Sequence, residues 1–353
     1  MVPFVLWLVT LVAATQATQA TPPAPASASP FGQGESRDAG SRSQIRIRDP
    51  FVLPDPAAKV YYIYGSTNRG LSPTDARKEV VVYKTRDLED WGEPITAWTV
   101  PAGHWGRETV WAPEVHRYQG KFYLFVTLTS TQTLPTPDGR PPNVMRGTEI
   151  LVADRPEGPF TPFGHGAQTP HDWMALDGTL YVEDDVPYMV FCHEWIQITD
   201  GSMEKVRLTP DLSSAVGTPT TMFHASDAPW TRCRGDIGEL FQGKRYHASI
   251  TDGPWLHRTK TGTLIMLWSS YGAAKYAVGQ AASTSGTLAG PWVQDAEPLW
   301  TDDGGHPMLF TTFEGRLVMA IHQPNRRVER ARFFEMDDSG DRLKIVREIG
   351  GQR

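Results

Sequence analysis

Five short segments of the chain each carry an acidic residue or a histidine beside a proline or a glycine. They are Asp49-Pro50-Phe51-Val52, Ala112-Pro113-Glu114-Val115, Asp177-Gly178-Thr179-Leu180, Asp252-Gly253-Pro254-Trp255 and Gly305-His306-Pro307-Met308. Two carboxyl groups on opposite sides of a glycosidic bond can hydrolyse it, one as general acid and the other by activating water. A single Asp-Gly or Asp-Pro is ordinary turn chemistry. Three such aspartates, each at the opening of a repeat, indicate that they share one site.

An apolar strand follows each of these segments about ten to twelve residues later. The five strands are Tyr61–Tyr64, Phe122–Phe125, Tyr188–Phe191, Leu264–Trp268 and Leu317–Ala320. Repeats of this size, with several short strands and dense turn signals, are typical of propeller blades. We therefore predict an all-β fold, a five-bladed β-propeller. Because each opening segment would form an innermost strand, Asp49, Asp177 and Asp252 are predicted to occupy matching positions around the axis. Glu114 and His306 would face them from the other two blades.

The composition suits a single large domain. The chain has 353 residues, 40% of them apolar, and its 12 Trp residues help to supply a sizeable core. We predict one continuous propeller domain over residues 44–353. The formal net charge is −6, and the arginines are scattered rather than gathered into a stripe. A nucleic-acid partner is therefore not expected.

The first 43 residues have the composition of a targeting segment followed by a linker. Val2 to Ala14 is almost entirely apolar and small residues follow it, which predicts a signal peptide over residues 1–20. The apolar run is too short for a comfortable membrane span. Residues 21–43 are rich in Pro, Ala, Ser and Gly and are predicted to be a disordered linker. We therefore expect a secreted or periplasmic protein.

Two cysteines, Cys192 and Cys233, leave two possibilities open. In a secreted chain they could form one disulfide. Cys192 lies inside an apolar strand, so a buried free thiol is the alternative. Their spacing shows no metal-site pattern.

The five openings, taken in order, resemble glycoside hydrolase family 43. Arg48-Asp49-Pro50-Phe51-Val52 is similar to that family's first blade, and Trp111-Ala112-Pro113-Glu114-Val115-His116 to its second. The segments at Asp177, Asp252 and His306 resemble the third, fourth and fifth, so the similarity covers residues 45 to about 336. It implies a five-bladed propeller and hydrolysis with inversion, with arabinofuranosidase, β-xylosidase, arabinanase or galactanase activity. The implied partner is a plant-type polysaccharide or oligosaccharide, and no cofactor is required.

The resemblance also assigns roles to the acids. Asp49 matches the general base that activates water, and Asp177 matches the carboxylate that tunes and orients the acid. Asp252 stands where the family usually has the glutamate of a Glu-Gly-Pro phrase, and it is the expected general acid. Its side chain is one methylene shorter, and a misplacement of about 1 Å can cost about 100-fold in rate. Glu194, which follows the third of the apolar strands, is a substitute acid or else a hydrogen-bonded residue at a strand end.

Four further residues are candidates for contacts with a sugar. Trp111 could stack on a sugar face or pack between blades, and Glu114 could bind a hydroxyl or serve as a buried hydrogen-bond partner. His306 could bind substrate or hydrogen-bond a neighbour. Some family members hold calcium on the axis through a histidine and waters, which makes His306 a possible metal ligand, although calcium prefers oxygen ligands. His322 follows the fifth strand and is a possible contact at the rim.

Two other functions fit the same fold. The first is a carbohydrate-binding propeller that has lost catalysis, for which Asp252 in place of a glutamate is the best support. The second is a retaining sucrose- or fructan-cleaving enzyme of a related five-bladed fold. Such enzymes carry an Asn-Asp-Pro-type phrase and a Glu-Cys phrase, whereas here Arg48 precedes Asp49 and Phe191 precedes Cys192. An enzyme would lose turnover in Asp49→Asn while it retained sugar binding.

Overall fold

The computed structural model describes residues 40–66, 78–233, 247–326 and 328–350. The predicted signal peptide and residues 21–39 of the predicted linker lie outside these ranges. Residues 40–43, also assigned to the linker from sequence, lie in a short strand and a turn. In the described ranges, no helix has the length and apolar character that crossing a membrane requires.

Five four-stranded antiparallel sheets make up the structure, which confirms the predicted five-bladed β-propeller. Blade 1 contains β2 (Arg48–Asp55), β3 (Val60–Ser66), β4 (Glu79–Thr85) and β6 (Ile95–Thr99). Blade 2 contains β7 (Thr109–Tyr118), β8 (Lys121–Thr133), β9 (Val144–Ala153) and β10 (Thr161–Pro162). Blade 3 contains β11 (Ala175–Glu183), β12 (Val186–His193), β13 (Ser202–Leu208) and β14 (Ala215–His224). Blade 4 contains β15 (Asp252–Arg258), β16 (Leu264–Tyr271), β17 (Tyr276–Ser283) and β18 (Trp292–Gln294). Blade 5 contains β19 (Gly305–Thr311), β20 (Leu317–Gln323), β21 (Arg330–Asp337) and β22 (Lys344–Ile349).

Three small elements stand outside the blades. A two-stranded sheet pairs β1 (Gly40–Ser41) with β5 (Asp90–Trp91). A four-residue helix α1 (Trp195–Ile198) follows β12, and a 3₁₀ turn (Ala225–Asp227) follows β14. Both short helical turns lie in connections between strands.

The first strand of each blade lies at the centre of the propeller. β2, β7, β11, β15 and β19 contact one another in sequence order, and β19 closes the circle on β2. The second strands pack between neighbouring sheets, so both of their faces are buried and their sequences are almost continuously apolar. All eight residues of β16 are buried, for example. This explains why the five apolar strands were so visible in the sequence.

Every first strand contains a β-bulge at the same place. The pairing register with the second strand shifts between Arg48 and Phe51, Trp111 and Glu114, Leu176 and Thr179, Asp252 and Trp255, and Gly305 and Met308. The second residue of each bulge has a left-handed backbone, and these residues are Asp49 (φ 50°), Ala112 (43°), Asp177 (56°), Gly253 (57°) and His306 (56°). A bulge bends the strand and re-aims the side chain that it carries.

The bulges correct one prediction about the aspartates. Asp49 and Asp177 do hold equivalent positions, as expected. Asp252 does not, because it is the first residue of its bulge and corresponds to Arg48, while Gly253 takes the left-handed position. The sequence alone shows Asp followed by Gly or Pro in all three segments, and the one-residue offset becomes visible only from the strand pairing.

The two ends of the propeller meet between blades 1 and 5 without exchanging a strand. Arg42 donates to the carbonyl oxygens of Ile349 (3.2 Å) and Gly350 (2.9 Å), and it pairs with Glu89 at 3.2 Å. Arg46 donates to Glu329 Oε2 through Nε at 3.0 Å and Nη2 at 2.9 Å. These arginines join the segment before blade 1 to the last blade.

The two cysteines are both free thiols. Cys192 is buried in β12, and Cys233 is exposed. Of the two possibilities left open by the sequence, the structure has the buried free thiol.

Candidate active site

Three of the five bulged residues bring their side chains together on the axis. His306 Nδ1 lies 3.4 Å from Asp49 Oδ1 and 3.7 Å from Asp177 Oδ2. Each of the three residues is 6% exposed. The sequence placed these residues at one site, and their contacts show that an imidazole lies between the two carboxyl groups.

Asp49 is held in its ionised form. Burial alone would raise its pKa, but the charges of His306 and Arg48 and a hydrogen bond with His322 outweigh burial and lower the pKa below its ordinary value. Arg48 Nε lies 3.5 Å from Asp49 Oδ1, and His322 Nδ1 lies 3.1 Å from the same oxygen. An ionised carboxylate at neutral pH is what a general base requires.

His322 and Arg48 form the far side of the Asp49 pocket. His322 is fully buried, and burial together with the Arg48 charge lowers its pKa to about 4, so its ring is neutral at pH 7. His322 Nε2 lies 3.3 Å from Asn325 Oδ1. Arg48 donates to the carbonyl oxygen of Asn325 and lies 3.6 Å from Glu329 Oε1. The predicted rim residue His322 is therefore a buried partner of Asp49.

Asp177 has the opposite electrostatic character. Burial raises its pKa to about 7, and the negative charges of Asp252 and Asp49 add to that rise while the His306 charge opposes it. Its Oδ2 accepts a hydrogen bond from the backbone N–H of Gly253 at 3.1 Å. Asp252 is one of the negative charges that raise the Asp177 pKa, so the protonation of each carboxyl group affects the other.

Asp252 is oriented by a tyrosine from its own blade. The Tyr276 hydroxyl donates to Asp252 Oδ2 at 2.5 Å. Burial and the nearby Asp252 charge raise the pKa of Tyr276 well above its ordinary value, so the phenol keeps its proton and acts as a donor. The ring of Tyr276 lies so close to Gly305 that a Cβ at that position would overlap Tyr276 Cε1. The glycine of the fifth opening thus makes room for the tyrosine.

Glu194, the substitute acid, lies in a different set of contacts. Its carboxylate forms a buried ion pair with Arg146, whose Nε donates to Thr129 Oγ1 at 2.9 Å. The Arg146 guanidinium lies 4.4 Å from the centroid of the Trp111 ring. One face of Trp111 is therefore covered by a cation, and a guanidinium partner stabilises Glu194 as a carboxylate.

Glu114 is a buried hydrogen-bond partner. It is 4% exposed, and its Oε2 lies 2.9 Å from His116 Nε2. The His116 ring contacts Phe51 (centroids 5.3 Å apart) and Trp255 (6.2 Å), and these two rings are 5.8 Å from each other, so the three form a triangle. Because the rings come from blades 2, 1 and 4, they meet near the axis. Of the two possibilities for Glu114, the structure favours the buried partner over a sugar contact.

The possible calcium site at His306 stays a prediction. Within the described ranges, no group of three or more His, Cys, Asp or Glu residues has the arrangement of a metal site. His306 Nδ1 faces the oxygens of Asp49 and Asp177 directly, and these charges raise its pKa although burial opposes them. With Nδ1 facing two carboxyl groups, Nε2 is the ring atom of His306 that could contact a substrate or an ion.

Sequence reasoning missed Arg48, Tyr276 and Arg146 as site residues. Arg48 directly precedes Asp49, and an Arg beside a carboxylate in a repeat opening was a usable signal. Tyr276 carries no such signal, because it lies in the third strand of blade 4 and reaches the site only through the blade's pairing. Arg146 reaches Trp111 and Glu194 from the third strand of blade 2.

The comparisons with known proteins agree with this geometry. Residues 43–339 match the family described as Glycosyl hydrolases family 43. An endo-arabinase from Bacteroides thetaiotaomicron VPI-5482 is 36% identical, with a TM-score of 0.72, and the match covers 89% of this chain and 98% of that one. A comparison with curated proteins gave no match.

Two further solved structures share the fold at lower identity. An endo-1,4-β-xylanase from Bacteroides thetaiotaomicron VPI-5482 is 24% identical, with a TM-score of 0.60 over 85% of this chain and 94% of that one. An α-L-arabinofuranosidase from Lactobacillus brevis is 18% identical, with a TM-score of 0.63 over 85% and 93%. From the family match and the 36% identity over nearly the whole chain, this protein belongs to glycosyl hydrolases family 43 and is an inverting glycoside hydrolase.

Proposed function

We propose that this protein is a secreted or periplasmic enzyme that hydrolyses α-L-arabinofuranosyl bonds in arabinan-type plant polysaccharides. Support for the sugar comes from the solved structure of 36% identity, whose name is endo-arabinase. Support for export comes from the apolar segment Val2 to Ala14 and the small residues after it. β-Xylosidase activity is the alternative sugar specificity for the same site.

The proposal depends on one observation above all. Two carboxyl groups that face the same imidazole, Asp49 and Asp177, have their pKa values moved in opposite directions. A lowered pKa suits Asp49 to accept a proton, and the raised pKa of Asp177 keeps a proton near Asp252, the group proposed to deliver it.

The reaction that follows is a single displacement. Asp49 accepts a proton from water while the water oxygen bonds to the anomeric carbon. The bond from that carbon to the leaving oxygen breaks on the opposite side, and Asp252 delivers the proton that the leaving oxygen takes. Asp177 supports this step because its charge and that of Asp252 disfavour each other, which keeps a proton on the pair at neutral pH.

Asp252 is the stronger of the two candidates for the acid. It interacts electrostatically with Asp177, His306 and Arg48, which places it with the axial group. Glu194 is instead tied to Arg146 by an ion pair that favours its charged form. We propose that Glu194 and Arg146 form part of the pocket wall beside Trp111 and that the proton comes from Asp252.

The test compares initial rates of the mature protein on aryl α-L-arabinofuranoside, aryl β-D-xylopyranoside and aryl β-D-galactopyranoside, and on linear arabinan. Asp49→Asn should reduce kcat by at least about 1,000-fold, and Asp154→Asn, an exposed aspartate with 88% of its side chain accessible, serves as the matched control. Proton NMR of the first product should show the β-anomer of arabinose if the reaction inverts an α-bond. Release of long arabinan fragments would indicate internal cleavage, and release of arabinose alone would indicate terminal cleavage.

A comparison of two acid variants identifies the proton donor. An aryl substrate whose leaving group needs no protonation should restore much of the rate lost in Asp252→Asn. If Glu194→Gln shows that recovery and Asp252→Asn does not, the assignment of Asp252 is wrong. If the wild-type protein binds arabinan fragments and turns none of them over, the protein is the carbohydrate-binding propeller instead.

A further inference from the structure

The same hydrogen bond joins blade 3 to blade 2 and blade 5 to blade 4 at the bulge. The backbone N–H of the bulged residue donates to a side chain on the second strand of the preceding blade. Asp177 N–H donates to Thr127 Oγ1 at 2.8 Å, and His306 N–H donates to Ser269 Oγ at 2.8 Å. These bonds fix two of the three bulged residues whose side chains meet on the axis.

The acceptors share one place in the strand pairing. Each pairs with the first residue of the bulge in its own blade, and these acceptor positions are Ser66, Thr127, Cys192, Ser269 and His322. At the closure, His322 faces the bulged residue of blade 1 from the same place, with its Nδ1 3.3 Å from Asp49 N and 3.1 Å from Asp49 Oδ1. The side chain of Ser66 lies outside the described part of the chain.

Blade 4 departs from this pattern. The acceptor position that precedes it holds Cys192, and a thiol is a weak acceptor. The bulged amide of blade 4, Gly253 N–H, donates to Asp177 Oδ2 at 3.1 Å instead. The Cys192 Sγ lies 3.6 Å from Met203 Sδ, within its own sheet. The bulged amide of blade 4 thus bonds to an active-site carboxyl group of blade 3 and not to a side chain on the second strand of that blade.

We propose that position 192 must lack a strong hydrogen-bond acceptor, because the Gly253 amide is then left free to donate to Asp177 and orient it. A hydroxyl at this position would be the acceptor found in the equivalent places of blades 2 and 4. It would take the Gly253 N–H and leave Asp177 Oδ2 without it. A backbone donor fixes the direction of a carboxylate and stabilises its charge, so its loss changes how Asp177 acts on Asp252. This inference rests on the proposed function only in taking Asp177 to serve the reaction.

The test uses two substitutions at one position. Cys192→Ser introduces the acceptor, and Cys192→Ala removes the thiol without introducing one. In crystals of Cys192→Ser, the serine Oγ should lie within about 3.2 Å of Gly253 N, and Asp177 Oδ2 should no longer accept from that amide. In Cys192→Ala the Gly253 to Asp177 bond should remain. Because a hydrogen bond to a charged group contributes about 1.5–3 kcal/mol, kcat of Cys192→Ser should fall about tenfold or more with KM within about twofold.

The result that decides the test is the difference in kcat between Cys192→Ser and Cys192→Ala. The thiol takes no part in the reaction, so Cys192→Ala should keep kcat within about twofold even if its smaller side chain lowers thermal stability. Equal losses of kcat in both variants would overturn the inference, and so would an unchanged kcat in Cys192→Ser with the hydrogen bond moved. If the wild-type protein shows no turnover, the proposed function fails, while the crystal structures still decide whether Gly253 changes partner.

Discussion

In the proposed reaction, Asp177 and Asp252 together hold the proton that the leaving group receives. Asp252 is the shorter side chain in a place where the family usually has glutamate, and Tyr276 fixes its carboxyl group at 2.5 Å. Asp177 faces Asp252 from the neighbouring blade, and burial raises its pKa to about 7. We therefore propose that the proton donor is a pair of carboxyl groups that belong to different blades.

The pH dependence of the reaction follows from these environments. The pKa of Asp177 is raised, so the pair carries its proton below about pH 7 and loses it above. The pKa of Asp49 is lowered, so the base stays ionised throughout the mildly acidic range. We expect kcat/KM to be level from about pH 5 to 6.5 and to fall about tenfold per pH unit well above pH 7. Rates measured at low substrate concentration from pH 4.5 to 9 test this, and a rate that rises above pH 7 would contradict it.

Tyr276→Phe removes the donor that orients Asp252. The loss of a hydrogen bond to a carboxyl group should lower kcat by about tenfold or more, while KM changes little because the phenol is buried beneath the site. Steady-state rates of the variant give both constants. Tyr61→Phe is the matched control, since the Tyr61 hydroxyl accepts from Phe313 N–H at 3.1 Å and hydrogen-bonds Thr312 at the opposite end of blade 1. Equal effects in the two variants would show that the tyrosine ring rather than its hydroxyl matters.

At this scale the sequence predicted which residues of the first strands converge on the axis and missed residues that hold them there. Asp49, Asp177 and His306 were expected to converge, and they do, although their catalytic roles stay predictions. Tyr276 was missed because it reaches Asp252 from the third strand of its blade, which repeat spacing does not reveal.

The β-bulge is the element that directs one residue of each repeat toward the shared site. Each bulge puts one residue in a left-handed backbone at the axial end of a first strand, and five such residues encircle the axis. The apolar strands and their order were predicted correctly, because buried second strands have distinctive sequences. The one-residue offset of Asp252 was not, since a bulge adds a residue without changing the visible Asp-Gly or Asp-Pro pattern.

Gly253→Ala tests the bulge of blade 4. Gly253 has φ of 57°, and an added Cβ would lie 2.9 Å from His306 Cγ and 3.1 Å from its Nδ1. The left-handed backbone costs about 1–2 kcal/mol for alanine, and the contact with His306 adds to this cost. We expect a larger loss of unfolding free energy than in Gly120→Ala and a kcat reduced by about tenfold or more.

Gly120 supplies the matched control for that substitution. It also has a left-handed backbone (φ 82°), but an added Cβ there would have nothing within 4 Å. Chemical denaturation and kcat of the two variants separate the backbone cost, which both share, from the displacement of His306, which only Gly253→Ala should cause. Comparable stability and activity in both would show that the close approach to His306 is unimportant.

The whole molecule depends on how its first and last blades are joined. No strand crosses from one end of the described chain into the sheet of the other, and Arg42 and Arg46 bind blade 5 instead. Arg42 is itself buried, donates to two carbonyl groups, pairs with Glu89 and lies 5.0 Å from the centroid of the Phe333 ring, so its removal takes away several contacts at once. One backbone hydrogen bond, from Ile47 N–H to the Glu329 carbonyl oxygen at 3.1 Å, adds to the side-chain contacts of the closure.

Arg42→Ala should lower the free energy of unfolding by about 2–3 kcal/mol. Lys121→Ala, which breaks the exposed pair with Asp154, should change it by less than about 1 kcal/mol. Denaturant unfolding of the two variants beside the wild type measures the difference. A loss in Arg42→Ala no larger than that in Lys121→Ala would mean that the closure contributes little.

The two ends of the propeller meet where Arg42 donates to the Gly350 carbonyl oxygen. Each blade supplies residues to the site according to its place in the ring, whichever blade comes first in the sequence. In a circularly permuted variant, the present ends of the propeller would be fused and new termini placed in a hairpin far from the carboxyl groups. Such a variant should form the same site. The site therefore depends on which blades are neighbours in the ring and not on which blade comes first in the chain.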